Sequence, residues 1–246
     1  MATTTISCVT SNLNHHRNGD DCSVLSKQEP FLELSSPTLL ALETVKLRAV
    51  SYPTGAILFM EEQPAQGVFV VYRGRVKLSL CTENGKALIA RVAEAGEMLG
   101  IGATVCGRPY ETTAETMETS EISFIRQSDL LRLMRIHNDF AMHMAKQLSE
   151  EYNSTCHEIR SLVLSHSTAA RLARVLLEWL DKSDNASVHG YSRLTLTHQE
   201  IGQMIGASRE TVTRLLAVFR KKQFIQKNGS TLVVLNRGAL ESLGAL

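Results

Sequence analysis

From Val50 to about Phe124 the apolar positions come in short runs of β-branched and aromatic residues broken by Gly and Pro, and after Ser128 they recur every three or four residues. The first pattern predicts strands and the second helices. The clearest strand signal is Val68 to Leu80. There Val-Phe-Val-Val-Tyr and Val-Lys-Leu-Ser-Leu flank Arg73-Gly74, and Asn84-Gly85 supplies the next tight turn. Strands of this length predict a small sandwich or β-roll. Ahead of it Leu32, Leu39, Leu40, Leu42, Val45 and Leu47 predict one or two short helices, with Pro37 in a first turn.

Beyond Asn138 the stripe Ala141, Met144, Leu148, Tyr152, Thr155, Ile159 and Leu162 has a mean spacing of 3.5 residues, the coiled-coil value. It predicts a helix paired with its twin, and the alternative is a helix lying on its own β-roll. Ser165, His166 and Ser167 break the pattern as a hinge. Leu172, Ala173, Leu176 and Leu180 resume it, with Trp179 as a core anchor, and Asp181 to Tyr191 reads as a loop.

Thr197-His198-Gln199-Glu200 has the form of a capping box and starts a helix at His198, with Ile201, Met204 and Ile205 as its apolar face. Gly206 falls where a sharp turn needs positive φ, and Ser208 is the N-cap of a second helix. In that helix Val212, Leu215, Leu216 and Phe219 face the core, while Arg209, Glu210, Thr213 and Arg214 face outward. Two helices joined by a tight turn, the second presenting Arg and Glu near its start, follow the helix-turn-helix plan for reading the major groove. A guanidinium donates twice to guanine O6 and N7. A carboxylate accepts from cytosine N4. Thr197, His198, Gln199, Ser208, Thr211 and Thr213 are expected to support the helices or contact the DNA backbone. Arg220, Lys221 and Lys222 serve either phosphate contact or the helix dipole. Phe224 to Lys227 and Thr231 to Leu235 form a hairpin wing in which Lys227 reaches phosphate.

Charge sharpens this reading. The chain carries a net charge of +1, yet residues 166–246 hold 11 Lys/Arg against 6 Asp/Glu, and residues 1–165 hold 15 against 19. A basic C-terminal part favours a polyanion partner. Five scattered cysteines, with no secretory signal and no apolar stretch of membrane-spanning length, predict a cytoplasmic protein without a disulfide framework. Neither a nucleophile–base pairing, a metal-ligand spacing nor a P-loop is visible, so an enzyme and a metal site are not expected.

The segment Glu200 to Arg214, with Ser-Arg-Glu-Thr-Val-Thr-Arg at its end, resembles the DNA-binding domain of the CRP/FNR superfamily. The resemblance extends over residues 30–246 and includes Gly55, Gly74, Gly85, Gly96-Glu97 and Gly100. It implies an α+β fold: a cyclic-nucleotide-binding-like β-roll at 31–137, a dimerisation helix and hinge at 138–165, and a winged helix-turn-helix at 166–246, after a disordered tail at 1–30. It further implies a bacterial-type transcription regulator whose homodimer uses Arg209, Glu210 and Arg214 to read a palindromic TGTGA-like site on double-stranded DNA. RNA polymerase is the implied further partner, touched through surface loops such as Asp181 to Tyr191. The alternative is a small-molecule sensor whose C-terminal domain mainly makes protein contacts.

The ligand chemistry of the cyclic AMP binders is not repeated. In the register Gly100-Ile101-Gly102, Ile101 takes the place of the family's ribose-binding Glu, and Glu111, Thr112 and Thr113 stand around the place of its phosphate-binding Arg-Ser pair. On the long helix Cys156 and His157 correspond to the family's ligand-facing Thr and Ser. A carboxylate in place of a guanidinium removes a charge-assisted pair, so cyclic AMP is disfavoured and any effector is a different small molecule. An iron-sulfur cluster is also disfavoured, because Cys8 and Cys22 lie far apart and no C-x-x-C occurs. No cofactor is expected. Cys106 is expected to be a buried small apolar residue, and the alternative is a thiol switch.

Overall fold

The strand Gly67–Arg73 (β3) is buried along nearly its whole length, so the alternation expected of a half-exposed strand is absent. Both of its faces are covered. Val68, Val70 and Tyr72 meet a helical layer, whereas Phe69 and Val71 meet a second sheet. This is a computed structural model describing residues 31–244 apart from 32, 46–47, 83–85, 165–166, 185–195 and 229–230. The tail at 1–30 and the Asn84-Gly85 turn lie outside the described residues.

After the helix Ser36–Thr44 (α1), strands β1 (Val50–Tyr52) and β2 (Ile57–Phe59) precede β3, and β4 (Val76–Cys81), β5 (Ala87–Ala93) and β6 (Met98–Leu99) follow it. The short helix α2 (Ile101–Cys106) then leads to β7 (Thr113–Thr116) and β8 (Ser120–Arg126). The strands make two four-stranded sheets of order β1-β8-β3-β6 and β2-β7-β4-β5. All their pairings are antiparallel. Phe59, Val71, Val76, Leu78, Ala114 and Ile122 fill the space between them.

Helices α3 (Gln127–Ile136) and α4 (Asn138–Leu164) close the outer face of the first sheet with α1. The single expected stripe on α4 splits in two. Met144 is fully buried and Leu148 packs on the β-roll core, while Tyr152 and Ile159 are 69% and 54% exposed. The first half of the stripe therefore lies on the chain's own sheet. Among the described side chains, apolar packing of α4 on the β-roll core runs through Phe140, Met144 and Leu148, while the 27-residue helix continues to Leu164 at about 1.5 Å per residue. A different line, Met142, Ala145, Ser149, Tyr152, Cys156 and Ile159, faces away from the β-roll at alternating steps of three and four.

Cys106 is exposed rather than buried, because α2 turns Ile101, Ala103 and Thr104 inward. The second half of the chain comprises α5 (Thr168–Asp184), α6 (His198–Ile205), α7 (Arg209–Lys221), the hairpin β9 (Ile225–Asn228) with β10 (Thr231–Val234), and α8 (Arg237–Gly244). Residues 181–184 thus continue α5 instead of beginning a loop. Leu172, Leu176, Ile201, Val212, Phe219 and Leu240 form a separate core.

The start of α4 is tied to α1 by Asp139, whose carboxylate accepts from the Ser35 amide at 2.8 Å and the Thr38 hydroxyl at 2.7 Å. Burial pushes this carboxyl upward, but the bonds from Thr38, Ser35 and the Phe140 amide outweigh it and hold the group well below the usual carboxylate range. A depressed folded value means stability that is present above the unfolded carboxyl pKa of about 4 and is lost as pH falls below it. Asp139→Ala should therefore lower the melting temperature at pH 7, with a deficit that shrinks as pH is lowered from about 4 toward 2. Thermal melts of both proteins across that range check this, and a pH-independent deficit would contradict the ion's role.

Candidate nucleic-acid interface

The helix-turn-helix is fixed by local bonds. Thr197 Oγ1 accepts from the Glu200 amide at 3.1 Å, and the Glu200 carboxylate accepts from the Thr197 amide at 2.7 Å, completing the capping box. Gly206 closes α6 with φ 63°, a conformation that favours glycine. Ser208 Oγ then accepts from the Thr211 amide at 3.2 Å and caps α7.

Gly202 carries a constraint that sequence reading missed. A Cβ there would stand 2.6 Å from the Ala207 carbonyl oxygen, and the Ala207 amide donates to the Gly202 carbonyl at 2.8 Å. Helix α6 meets the turn where only a hydrogen fits. An isolated glycine inside a helical pattern was the available signal.

Packing of Val212, Leu216 and Phe219 turns the opposite side of α7 outward, and Arg209, Glu210, Thr213 and Arg214 are all exposed there. Thr213 donates its hydroxyl proton to the Arg209 carbonyl at 2.9 Å and lies 2.8 Å from His198 Nδ1. Since that hydroxyl has one proton, Nδ1 carries the hydrogen and donates to it. His198 thereby links the start of α6 to the second turn of α7. Thr197, His198, Gln199 and Arg209 line a shallow hollow of about 440 Å³ between the two N-termini. Glu210 is held below the usual carboxylate range by its own backbone amide, then by the Ser208 hydroxyl and the Arg209 charge. It is therefore a full acceptor between two guanidinium donors. Lys227 lies on β9, but its side chain is outside the described residues.

Arg171 Nε donates to the Ile205 carbonyl at 2.8 Å, and Arg174 Nη2 to the Gly244 carbonyl at 2.8 Å, so α5 holds the ends of α6 and α8.

The residues expected around an effector differ in their surroundings. Ile101 is 1% exposed within the β-roll core, Gly100 is left-handed against the Tyr110 ring, and Glu111 is exposed. Thr112 is half-buried, and Thr113 Oγ1 accepts from the Glu61 amide. Cys156 is half-buried on α4, and the His157 side chain lies outside the described residues. A cleft of about 220 Å³ lies elsewhere, between β5, β6 and α4, lined by Arg91, Glu97, Gln147, Glu150, Glu151 and Ser154. Arg91 is paired there with Glu97 and, at 3.2 Å, with Glu151. Gln147 bridges the β5–β6 turn by accepting from the Met98 amide and donating to the Gly96 carbonyl. Residues 56 apart in sequence carry no local signal of this cleft. Among the described residues no group of three or more His, Cys, Asp or Glu could hold a metal, and no helix is long and apolar enough to cross a membrane.

Residues 49–137 match the cyclic nucleotide-binding domain, and residues 170–243 match the Crp-like helix-turn-helix domain. The chain belongs to the CRP/FNR family of transcription regulators. The "cAMP-activated global transcriptional regulator CRP" of Pasteurella multocida is 29% identical to it over 185 residues, covering 74% of this chain and 88% of the relative. In fold this regulator resembles FixK2 from Bradyrhizobium japonicum, with TM-score 0.72 and 22% identity over 81% of this chain and 98% of that one. It also resembles CLP, described as a c-di-GMP responsive global regulator of Xanthomonas campestris, with TM-score 0.70 and 20% identity over 81% and 99% of the two chains.

Because Gly202 meets backbone rather than a flexible side chain, Gly202→Ala in this CRP/FNR-family regulator should push α6 off the turn. A loss of about 1–3 kcal/mol in unfolding free energy is expected. Denaturant titration followed by circular dichroism measures it, and a neutral effect would contradict the close approach.

Proposed function

We propose that this regulator works as a homodimer that reads a palindromic TGTGA-like operator through Arg209, Glu210 and Arg214, acts on RNA polymerase, and does not respond to cyclic AMP. The observation that carries the reading is the exposed Arg209–Glu210–Arg214 face on a helix whose start is capped by Ser208 and braced through Thr213 by His198. An Arg in that place donates twice to a guanine edge, and the ionised Glu210 accepts from cytosine N4. Thr197, Gln199 and Thr211, around the two helix starts, suit backbone contact.

Dimer formation is supported by the outward line on α4. Met142, Ala145, Ser149, Tyr152, Cys156 and Ile159 follow the 3–4 alternation of a two-helix seam, and Met142, Tyr152 and Ile159 are each more than half exposed. A parallel pair of α4 helices would bury them and set two readers about one DNA turn apart.

Silence toward cyclic AMP is supported by charge and space. At the family's own ligand positions Ile101 is buried in the core and Glu111 stands where the phosphate-binding Arg would be, and the separate cleft beside α4 sets Glu97, Glu150 and Glu151 against Arg91, which is already paired on two sides. A cyclic phosphate entering there meets excess negative charge, and about 220 Å³ is below the roughly 300 Å³ where drug-sized ligand sites begin.

Selection of bound sequences from random DNA by the purified protein, with and without cyclic AMP, tests this. The expected result is the same TGTGA-containing palindrome in both arms; a site that changes with the nucleotide overturns the effector reading. Binding of a metabolite with no preference among DNA sequences would favour a sensor module with protein contacts instead. Arg209→Ala should cost about 1–3 kcal/mol on the selected site and relax discrimination at one guanine. Tyr152→Asp and Ile159→Asp should shift sedimentation to the monomer and abolish preference for the full palindrome over a half-site.

A further inference from the structure

Arg75 follows β3 at the turn into β4, and Glu118 lies in the turn from β7 to β8. Glu118 accepts from Arg75 Nε and Nη2 at 3.0 Å each, a bidentate pair. The Arg75 side chain is only 19% exposed. What covers it comes from the other half of the molecule. The guanidinium carbon stands 5.2 Å from the ring centroid of Trp179 on α5, within cation–π reach. Met117, next to Glu118, packs into the reader's own core and donates its amide to the Arg75 carbonyl at 2.8 Å. At a second place α6 packs against β5, an edge strand of its sheet.

We propose that these contacts form a clasp that fixes the orientation of the DNA reader on the sensor: Glu118 aims the Arg75 guanidinium, and Trp179 is the plate it grips. One contact leaves a hinged body free to swivel, whereas two separated contacts, on α5 and on α6, do not. Because Arg171 ties α5 to the end of α6, a reader held at Trp179 carries the recognition helix with it. β5 is in turn paired to α4 through Arg91 and Glu151, so the reader's place is referred to the dimer helix. The functional consequence rests on the dimeric reading above. Clasped readers present their recognition helices at one separation, so the clasp sets which half-site spacing is bound; its energy appears as preorganisation.

Trp179 is the only tryptophan, which makes the clasp directly observable in the full chain. Arg75→Ala, Arg75→Lys and Glu118→Gln are compared with the unaltered protein by Trp179 emission without DNA, and by binding to palindromes whose half-sites are moved apart one base pair at a time. In Arg75→Ala the emission should shift to longer wavelength. Affinity for the best spacing should fall by about 2- to 30-fold, the range of one cation–π contact, while preference among half-site sequences stays as it was. Arg75→Lys should be intermediate, and Glu118→Gln should resemble Arg75→Ala in spacing while circular dichroism shows both folded. Unchanged emission in Arg75→Ala means there is no clasp in solution. Changed emission with an unchanged spacing profile, or with tighter binding, overturns the positioning role. If the unaltered protein sediments as a monomer or binds a lone half-site as well as the palindrome, the dimeric reading fails, and the emission shift still decides whether the clasp exists.

Discussion

Phe140 and Met144 are completely buried where α4 lies on the β-roll, and most of the molecule's arrangement depends on that packing. Each such side chain contributes roughly 1.5–3 kcal/mol by leaving water. Their consequence is geometric as well as energetic, because an α-helix turns by about 100° per residue and fixing one stripe fixes all others. With Phe140 and Met144 inward, Asp139 meets α1, Gln147 meets the β5–β6 turn, and Glu151 meets Arg91. The line from Met142 to Ile159 is then left outside. A roll by two residues, about 200°, would bring Met142 onto the sheet and destroy that line.

The reader was legible in the sequence because its determinants are local. A capping box spans four residues, Gly206 needs only its own φ, and the inward face of α7 follows from helical spacing. The β-roll was legible as short strands with turns, although β3, buried on both faces, does not show the alternation of an exposed sheet. The helix α4 was legible only in part. A seven-residue repeat says that a stripe exists, but Tyr152 and Ile159 fit both the expected stripe and the outward line. What separates the two is where apolar packing on the β-roll core stops along the helix, a fact of tertiary structure. Gly202 was readable as an oddity inside a helix. Its cause, the Ala207 carbonyl, required the folded turn itself.

Pairs distant in sequence were not legible, and they are the ones that join the two halves. Nothing around Arg75, Glu118 or Trp179 marks them as partners, and Trp179 reads as a core anchor because its neighbours are apolar. It is indeed half-buried, yet one face is given to a cation from the β-roll. The same holds for Arg91. On a strand it looks like an ordinary outward charge, whereas the fold places it between a turn carboxylate and a helix carboxylate.

Both halves match their family models, yet they answer to different constraints. Base-edge chemistry is imposed from outside, by fixed donor and acceptor patterns in the groove, so Arg and Glu on α7 have few substitutes. A sensor cleft faces no fixed template. Apart from the family's ligand positions, Glu97 and Glu151 hold Arg91 as an internal brace between β5 and α4. That brace costs little if the strand it steadies also seats α6. Rigidity in the sensor half is thus set by residues other than those on the exposed face of α7.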